Sequence, residues 1–189
     1  SFREFYRLKK NNSSSIIVNA KKDKYKNLIV YVVVNNILNS HKINAPKLLS
    51  NHIKNNMIEI SDLGDKSFYD HVVRKKKKLS EYKSLIDLLI KIQKIKTKPK
   101  YKLGKNIVKI TKYSLSNLHK ESDLFFDWYL KYTMKKKNVS KIKKTLRVEL
   151  NNVYKKLKFK NDTFVHRDFH VSNIMYYKKK FGVIDSQDA

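Results

Sequence analysis

The residues that most constrain this chain lie between His166 and Asp185, which read HRDFHVSNIMYYKKKFGVID. His166, Asp168 and Asn173 fit the spacing H-x-D-x-x-x-x-N, and Asp185 ends a short apolar run after a basic, turn-like segment. In phosphoryl transfer, one carboxylate accepts the proton of the attacking hydroxyl, while an amide oxygen and a second carboxylate bind metal ions. The pattern therefore predicts an ATP-dependent kinase whose active site combines a loop with the end of a strand.

Each position in this motif predicts a role. Asp168 follows a β-prone run at 163–165, where a loop carboxylate can orient a substrate hydroxyl toward the γ-phosphate. Asn173 and Asp185 are candidate ligands of Mg²⁺, which prefers oxygen donors. We expect His166 to orient the loop through hydrogen bonds rather than to react. Any one of these residues alone is more often part of a turn or a solvated loop, but the combined spacing is far more restrictive.

Several other segments follow the same order as a known group of proteins. They are SFREFYRL at 1–8, MIEISDLGDKSFYDHV at 57–72, ESDLFFDWYL at 121–130, and the FVHRDFHVSNIM and GVIDSQDA segments. Together they resemble a first strand pair, a hinge, a C-lobe helix and the catalytic and metal segments of the aminoglycoside phosphotransferase superfamily. DLGD combined with FDWYL is most similar to the N-acetylmuramate/N-acetylglucosamine anomeric kinases of bacterial cell-wall recycling.

This resemblance implies an α+β, two-lobe, protein-kinase-like fold with a strand-rich N-lobe at 1–63 and a mostly helical C-lobe at 64–189. It implies an enzyme that uses ATP and Mg²⁺ to phosphorylate an amino-sugar hydroxyl, with the anomeric hydroxyl of N-acetylmuramate or N-acetylglucosamine as the expected acceptor. The adenine is then expected against main-chain atoms of Ser61 and Leu63. Another small-molecule kinase of the aminoglycoside or choline kinase type is the alternative.

The sequence departs from the expected pattern at two places. Ser186 follows the second acid, where the group usually has an aromatic residue. The strand predicted at 15–20 has no lysine, and the helix predicted at about 25–39 has no acid, so the usual kinase lysine–glutamate pair is missing. Three lysines that follow the strand are candidate phosphate ligands, and each is equally well read as a solvated charge: Lys21, Lys22 and Lys24. We also expect that both ends are truncated and that the sequence is a fragment.

Composition limits the other functions. The net charge of +28, from 44 basic and 16 acidic residues, raises the alternative of a non-catalytic nucleic-acid-binding protein. Lysines are spread over nearly every segment and no recognition motif is present, so we expect no specific nucleic-acid partner. A protein kinase is disfavoured because the chain has only 3 Gly and lacks a DFG triplet. With no Cys and no apolar run near the roughly 20 residues that span a bilayer, we expect a cytoplasmic protein without a membrane partner. We also expect a monomer.

Hydrophobic periodicity and turn residues predict the remaining elements. Strands are expected at 2–8, 15–20 and 57–60, with a short pair of strands near 47–52. Helices are expected at 79–95, 122–134 and 140–157. The stretch 97–101 is predicted to be a linker, and Asp65 or Ser67 to cap a helix. The bulky aromatic residues of 122–134 are interpreted as core, and His170 as a loop or surface histidine.

Overall fold

The computed structural model describes residues 3–11, 13–21, 25–134, 136–157 and 163–186. Contacts divide the chain into two compact units, Ser1–Thr111 together with Phe164–Ala189, and Lys112–Thr163. All six predicted site residues fall in the first unit, so their arrangement can be described within it.

A four-stranded antiparallel sheet forms one layer of the first unit. Its strands are β1 (Arg3–Lys10), β2 (Ser13–Ala20), β3 (Leu48–His52) and β4 (Met57–Ser61), in the order β1-β2-β4-β3. Ile58 and Ile60 are buried because alternate residues of β4 face the core. The strands predicted at 2–8, 15–20 and 57–60 are confirmed, although residue 2 lies outside the described residues. The short pair predicted near 47–52 is wrong, because this region forms the single strand β3, which pairs with β4.

Helix α1 (Tyr25–Ser40) is the centre of this unit. Leu28, Tyr31 and Val32 belong to the cluster of buried residues that includes the sheet. Val33 and Ile37 belong to a second cluster, which includes the later helices and strands. Valine has only modest helix propensity, and burial on both sides outweighs it. The helix predicted at about 25–39 is therefore confirmed, as a helix that is apolar nearly all round.

Two helices follow the segment after β4. Helix α2 (Phe68–Val72) begins with a capping box in which the Ser67 side chain accepts from the Asp70 N–H and the Asp70 carboxylate accepts from the Ser67 N–H. Of the two predicted caps, Asp65 and Ser67, the structure has Ser67. Helix α3 (Leu79–Gln93) buries Leu85 and Ile92 in the core, as its apolar period predicted.

Two hairpins complete the first unit. Strands β5 (Lys100–Leu103) and β6 (Asn106–Lys109) pair around a turn, so the linker predicted at 97–101 is wrong from Lys100 onward. Strands β7 (Ile174–Tyr177) and β8 (Lys180–Val183) form the second hairpin. The β-prone run at 163–165 forms no strand, because the segment leads into the loop at 166–173 without a pairing partner among the described residues.

The second unit is helical. It contains α4 (Leu115–Leu124), a π-helical segment (Phe125–Leu130), α5 (Lys131–Thr133) and α6 (Lys136–Lys156). The core interpretation of its aromatic residues is wrong: Trp128 is 64% exposed and Tyr132 is 84% exposed, whereas Phe126 and Leu130 are buried. The 3.6-residue period used for the prediction does not hold through a π-helical segment, where hydrogen bonds run from i to i+5. Among the described helices of the chain, none combines the length and apolar character needed to cross a bilayer.

Candidate functional site

The loop at 166–173 brings Asp168 and Asn173 together. The Asn173 Nδ2 atom donates to the Asp168 Oδ2 atom at 2.8 Å and to the Asp168 carbonyl oxygen at 3.1 Å. The Asn173 backbone N–H donates to the His170 carbonyl at 2.9 Å, which closes the loop on itself. The Asp168 side chain is 47% exposed, so its carboxylate is accessible to a substrate hydroxyl.

Asp185 lies two residues beyond the end of β8 and is connected to the same loop. The Ile184 N–H donates to the Asn173 carbonyl at 3.0 Å, which joins the end of the strand to the loop. Asp185 has a φ of 59°, in the left-handed region that Asp adopts more readily than most other residues. Its neighbour Ser186 is buried and donates from Oγ to the Asn35 Oδ1 atom of α1 at 2.6 Å. The polar residue found in place of an aromatic therefore connects this segment to the central helix.

Asn173 and Asp185 line one cavity with the segment that follows β4. This cavity, of about 410 Å³, is hereafter called the main cavity. Its walls also include apolar residues of the sheet and α1, two arginines of β1, and four consecutive residues that start at the last residue of β4: Phe5, Ile16, Tyr31, Ile60, Arg3, Arg7, Ser61, Asp62, Leu63 and Gly64. Four of the six predicted site residues thus share one cavity, whereas His166 and Asp168 do not line it.

The two predicted nucleotide-binding residues differ in the use of their backbone groups. The Ser61 N–H donates to the Lys47 carbonyl at 2.8 Å, and its Oγ atom accepts from the Lys47 N–H at 2.8 Å. Leu63 is buried, and within the described part of the chain its backbone groups have no hydrogen-bond partner. Leu63 is therefore better suited than Ser61 to form main-chain hydrogen bonds with a ligand.

Arg7 holds the segment after β4 in place. Its Nε atom lies 2.7 Å from Asp62 Oδ2, and its Nη2 atom donates to the Gly64 carbonyl at 2.9 Å. Burial alone raises the pKa of Asp62, but hydrogen bonds from Ser14, the Gly64 N–H and Arg7 outweigh it and hold the pKa below the usual value. Gly64 has a φ of 81°, so the turn favours a residue without a Cβ atom.

His166 is buried beneath the loop. Neither ring nitrogen meets a described partner at normal hydrogen-bond geometry, so the expected orienting hydrogen bond is not present in this part of the chain. Burial lowers the pKa of His166, although Asp168 and the nearby Ile184 carbonyl favour the protonated form. The neutral ring packs edge-on against Phe169, with ring centroids 6.1 Å apart.

Two contacts of the site were missed from the sequence. The His170 side chain is 52% exposed, as expected for a surface histidine, but its Nε2 atom lies 3.2 Å from Asp168 Oδ1. Arg3, at the start of β1, donates from Nη2 to Asp185 Oδ1 at 2.7 Å. The sequence could have indicated the His170 contact, because His170 is only two residues from Asp168. The Arg3 contact joins residues 182 positions apart and leaves no such indication.

The donor set fits a magnesium ion that is shared with phosphates. In the described residues no group of three or more His, Cys, Asp or Glu side chains is placed to hold a metal by itself. Asn173 uses its amide nitrogen for both hydrogen bonds to Asp168, which leaves its amide oxygen for a cation. One amide oxygen and the Asp185 carboxylate suit Mg²⁺, which generally takes only one or two carboxylates and completes its shell with phosphates and water.

The chain is similar to known kinases. No family model matches it. Curated relatives include N-acetylmuramate/N-acetylglucosamine kinases from Pseudomonas aeruginosa, 24% identical over 193 residues, and from Neisseria meningitidis serogroup B and Pseudomonas putida, each 22% identical over 189 residues. These alignments cover 100% of this chain and 53%, 54% and 52% of the relatives, so the chain spans about half the length of the curated relatives it matches.

A solved structure gives an independent comparison of the fold. The ternary complex of streptomycin, ATP and the aminoglycoside phosphotransferase APH(2″)-IIa matches with a TM-score of 0.60 and 12% identity, covering 98% of this chain and 66% of that chain. This likeness confirms the predicted α+β, protein-kinase-like fold. With the sequence relatives, it also confirms the predicted resemblance to the aminoglycoside phosphotransferase superfamily and supports a small-molecule kinase.

Proposed function

We propose that this chain is part of an ATP-dependent phosphotransferase of the aminoglycoside phosphotransferase superfamily that phosphorylates an amino sugar. The observation that carries the proposal is the connection of the Asp168 carboxylate, through Asn173, to the cavity that Asp185 and Leu63 also line. A base, oxygen ligands for a metal and a nucleotide cavity are the parts that phosphoryl transfer requires.

Asp168 is the proposed catalytic base. Its exposed carboxylate accepts the proton of the sugar hydroxyl as that oxygen attacks the γ-phosphate. The hydrogen bond from Asn173 fixes the orientation of this carboxylate. His166 is a positioning residue that fills the space beneath the loop as a neutral ring, because burial favours its uncharged form.

Asn173 and Asp185 are the proposed metal ligands, and Leu63 is the main-chain contact of the adenine. Bound Mg²⁺ would neutralise charge on the transferred phosphate. The apolar walls of the main cavity suit a nucleobase, and the open backbone groups of Leu63 suit its polar edge. Ser61, two residues before Leu63, supports this contact by fixing the end of β4, since its backbone N–H is bound to Lys47. We retain 1–63 and 64–189 as the proposed functional lobes, with the nucleotide between them.

The proposed acceptor is the anomeric hydroxyl of N-acetylmuramate or N-acetylglucosamine. The support is the similarity to three kinases that carry these sugars in their names, along the whole of this chain. The structurally similar aminoglycoside phosphotransferase, which was solved with streptomycin and ATP, favours an aminoglycoside as the alternative acceptor. The two acceptor classes are separated by activity on a panel of substrates.

The test uses the full-length protein that contains this chain, with Mg-ATP and a panel of amino sugars and aminoglycosides. We expect a phosphorylated amino sugar, with the product position determined by NMR. Asp168→Asn should lower kcat by about 100-fold or more while leaving ATP affinity within about twofold. Asp87→Asn, which removes an exposed carboxylate from α3, is the matched control and should leave kcat unchanged. Full activity of the Asp168 variant, or turnover of no member of the panel, would refute the proposal.

A further inference from the structure

We propose that Arg3 is the cation that binds the phosphate groups of the nucleotide, in place of the strand lysine that kinases generally use. The inference rests on the proposed function and assigns a ligand that the sequence left open. Strand β2 carries no lysine, and Lys21 beyond it is exposed and does not line the main cavity. Lys22 and Lys24 lie outside the described residues.

The register of the sheet puts Arg3 beside the end of β2. Arg3 on β1 is the direct antiparallel partner of Ala20, the last residue of β2. A cation on the neighbouring strand can therefore occupy the region in which a strand lysine is expected. The side chain of Arg3 is only 6% exposed, yet it lines the main cavity together with Asp185.

The guanidinium group of Arg3 lies next to one carboxylate and two aromatic rings. Its Nη2 atom lies 2.7 Å from Asp185 Oδ1, and its Cζ atom lies 5.6 Å and 5.7 Å from the ring centroids of Phe5 and Tyr31. Burial raises the pKa of Tyr31 to about 12, so the Tyr31 side chain is an uncharged phenol at physiological pH. Aromatic faces stabilise a guanidinium by cation–π interaction and restrict its rotation.

Arg7 is not equivalent to Arg3, although both lie on the same face of β1 and line the same cavity. Arg7 binds the Asp62 carboxylate and the Gly64 carbonyl, so its donors stabilise the segment after β4. Arg3 instead binds the carboxylate that is proposed to hold magnesium. Phosphate and carboxylate oxygens accept from a guanidinium fork in the same way, so phosphate can replace Asp185 as its partner once that carboxylate binds a cation.

The experiment compares two nucleotide ligands in the full-length protein. Affinities for ATP and for adenosine are measured by calorimetry, with ATP tested in Mg²⁺ and again in EDTA. Arg3→Met should weaken ATP binding roughly 10- to 100-fold in Mg²⁺, because a hydrogen bond to a charged group is lost. The loss should be smaller in EDTA, where no cation occupies Asp185 and its carboxylate still competes with phosphate for Arg3. Adenosine affinity should stay within about twofold, since adenosine has no phosphate. Arg3→Lys should restore part of the ATP affinity.

Arg7→Met is the matched control, with the same change on the same strand. Because Arg7 supports the adenine side of the cavity, it should change ATP and adenosine affinities by the same factor. The double variant Arg3→Met/Asp185→Asn tests whether Arg3 acts only by positioning Asp185. We expect a further loss of ATP affinity in EDTA when Arg3→Met is added to Asp185→Asn.

The outcomes separate this inference from the proposed function. Equal loss of ATP and adenosine affinity in Arg3→Met, or no further loss in the double variant, would overturn the role of Arg3 while leaving the kinase proposal intact. A wild-type protein that binds neither ATP nor adenosine would overturn both. The inference is supported if Arg3→Met loses ATP affinity but keeps adenosine affinity, while Arg7→Met shows no such difference between the two ligands.

Discussion

The hydrogen bond between Ser186 and Asn35 yields a quantitative prediction. Both side chains are buried, and the Ser186 Oγ atom donates to Asn35 Oδ1 at 2.6 Å. Ser186→Ala removes the hydroxyl donor and leaves the buried Asn35 Oδ1 atom without this hydrogen bond. A buried acceptor left unsatisfied costs about 1–3 kcal/mol, so we expect a loss of about 2 kcal/mol in unfolding free energy.

The same change should weaken metal-dependent nucleotide binding. Asp185, the residue before Ser186, has a φ of 59°, and the left-handed conformation costs roughly 1–2 kcal/mol for a residue with a Cβ atom. Without the hydrogen bond from Ser186 to Asn35, Asp185 can relax toward more favourable backbone angles. Binding of Mg-ATP must then restore the strained conformation. We expect Mg-ATP affinity to fall by about tenfold, since 1.4 kcal/mol corresponds to one factor of ten.

Urea denaturation and calorimetry of the full-length protein measure the two effects. Asn35→Leu and the double variant complete a thermodynamic cycle, and replacement of both partners by apolar groups should recover about 1 kcal/mol relative to Ser186→Ala. Ser84→Ala, at an exposed position of α3, is the control and should change stability by less than about 0.5 kcal/mol. A Ser186→Ala variant as stable as wild type, or strictly additive effects in the cycle, would refute the reasoning.

Three further perturbations have defined directions. Because the folded state lowers the pKa of Asp62, the ionised carboxylate stabilises the fold at neutral pH. The difference in stability between wild type and Asp62→Asn should therefore shrink as the pH falls below about 4. A difference in melting temperature that does not change with pH would contradict this. Burial depresses the pKa of His166, so wild-type stability should start to fall as pH drops below about 6.5, and His166→Gln should flatten that decline in melting curves. Gly64→Ala puts a Cβ atom at φ 81° and 3.3 Å from Tyr177, so we expect a loss of about 1–2 kcal/mol by denaturation and weaker adenosine binding; wild-type stability would show that the turn does not need glycine.

The sequence was most informative where a local pattern determines the structure. The apolar period of α3, the capping box at Ser67 and the apolar helix α1 each follow from residues within about one or two helical turns. The spacing of Asp168 and Asn173 also predicted that the two residues act together, and the structure joins them by a 2.8 Å hydrogen bond. The aromatic residues of the π-helical segment show the opposite case, since a change of helix type alters which side chains share a face.

The contacts missed from the sequence are long-range. Arg3 and Asp185 are 182 positions apart, and Asn35 and Ser186 are 151 positions apart, so no periodicity or spacing connects them. An arginine in the first strand of a chain with net charge +28 is one of many cations, and only its burial beside an acid distinguishes it. Such pairs become visible only when the sheet register and the packing of α1 are known.

Asp185 shows why the candidate site depends on the whole first unit. Arg3 of β1 binds its carboxylate. The Asn173 carbonyl accepts a hydrogen bond from the preceding residue, Ile184, and Asn35 of α1 accepts one from the following residue, Ser186. Three separate segments therefore hold a residue whose backbone conformation is intrinsically unfavourable, as is common for strained residues at functional sites. Loss of any one contact should change the position of this carboxylate as well as the stability of the fold, so both metal-dependent nucleotide affinity and melting temperature should fall. A lower melting temperature with unchanged Mg-ATP affinity in both Arg3→Met and Ser186→Ala would indicate that the contacts serve folding alone.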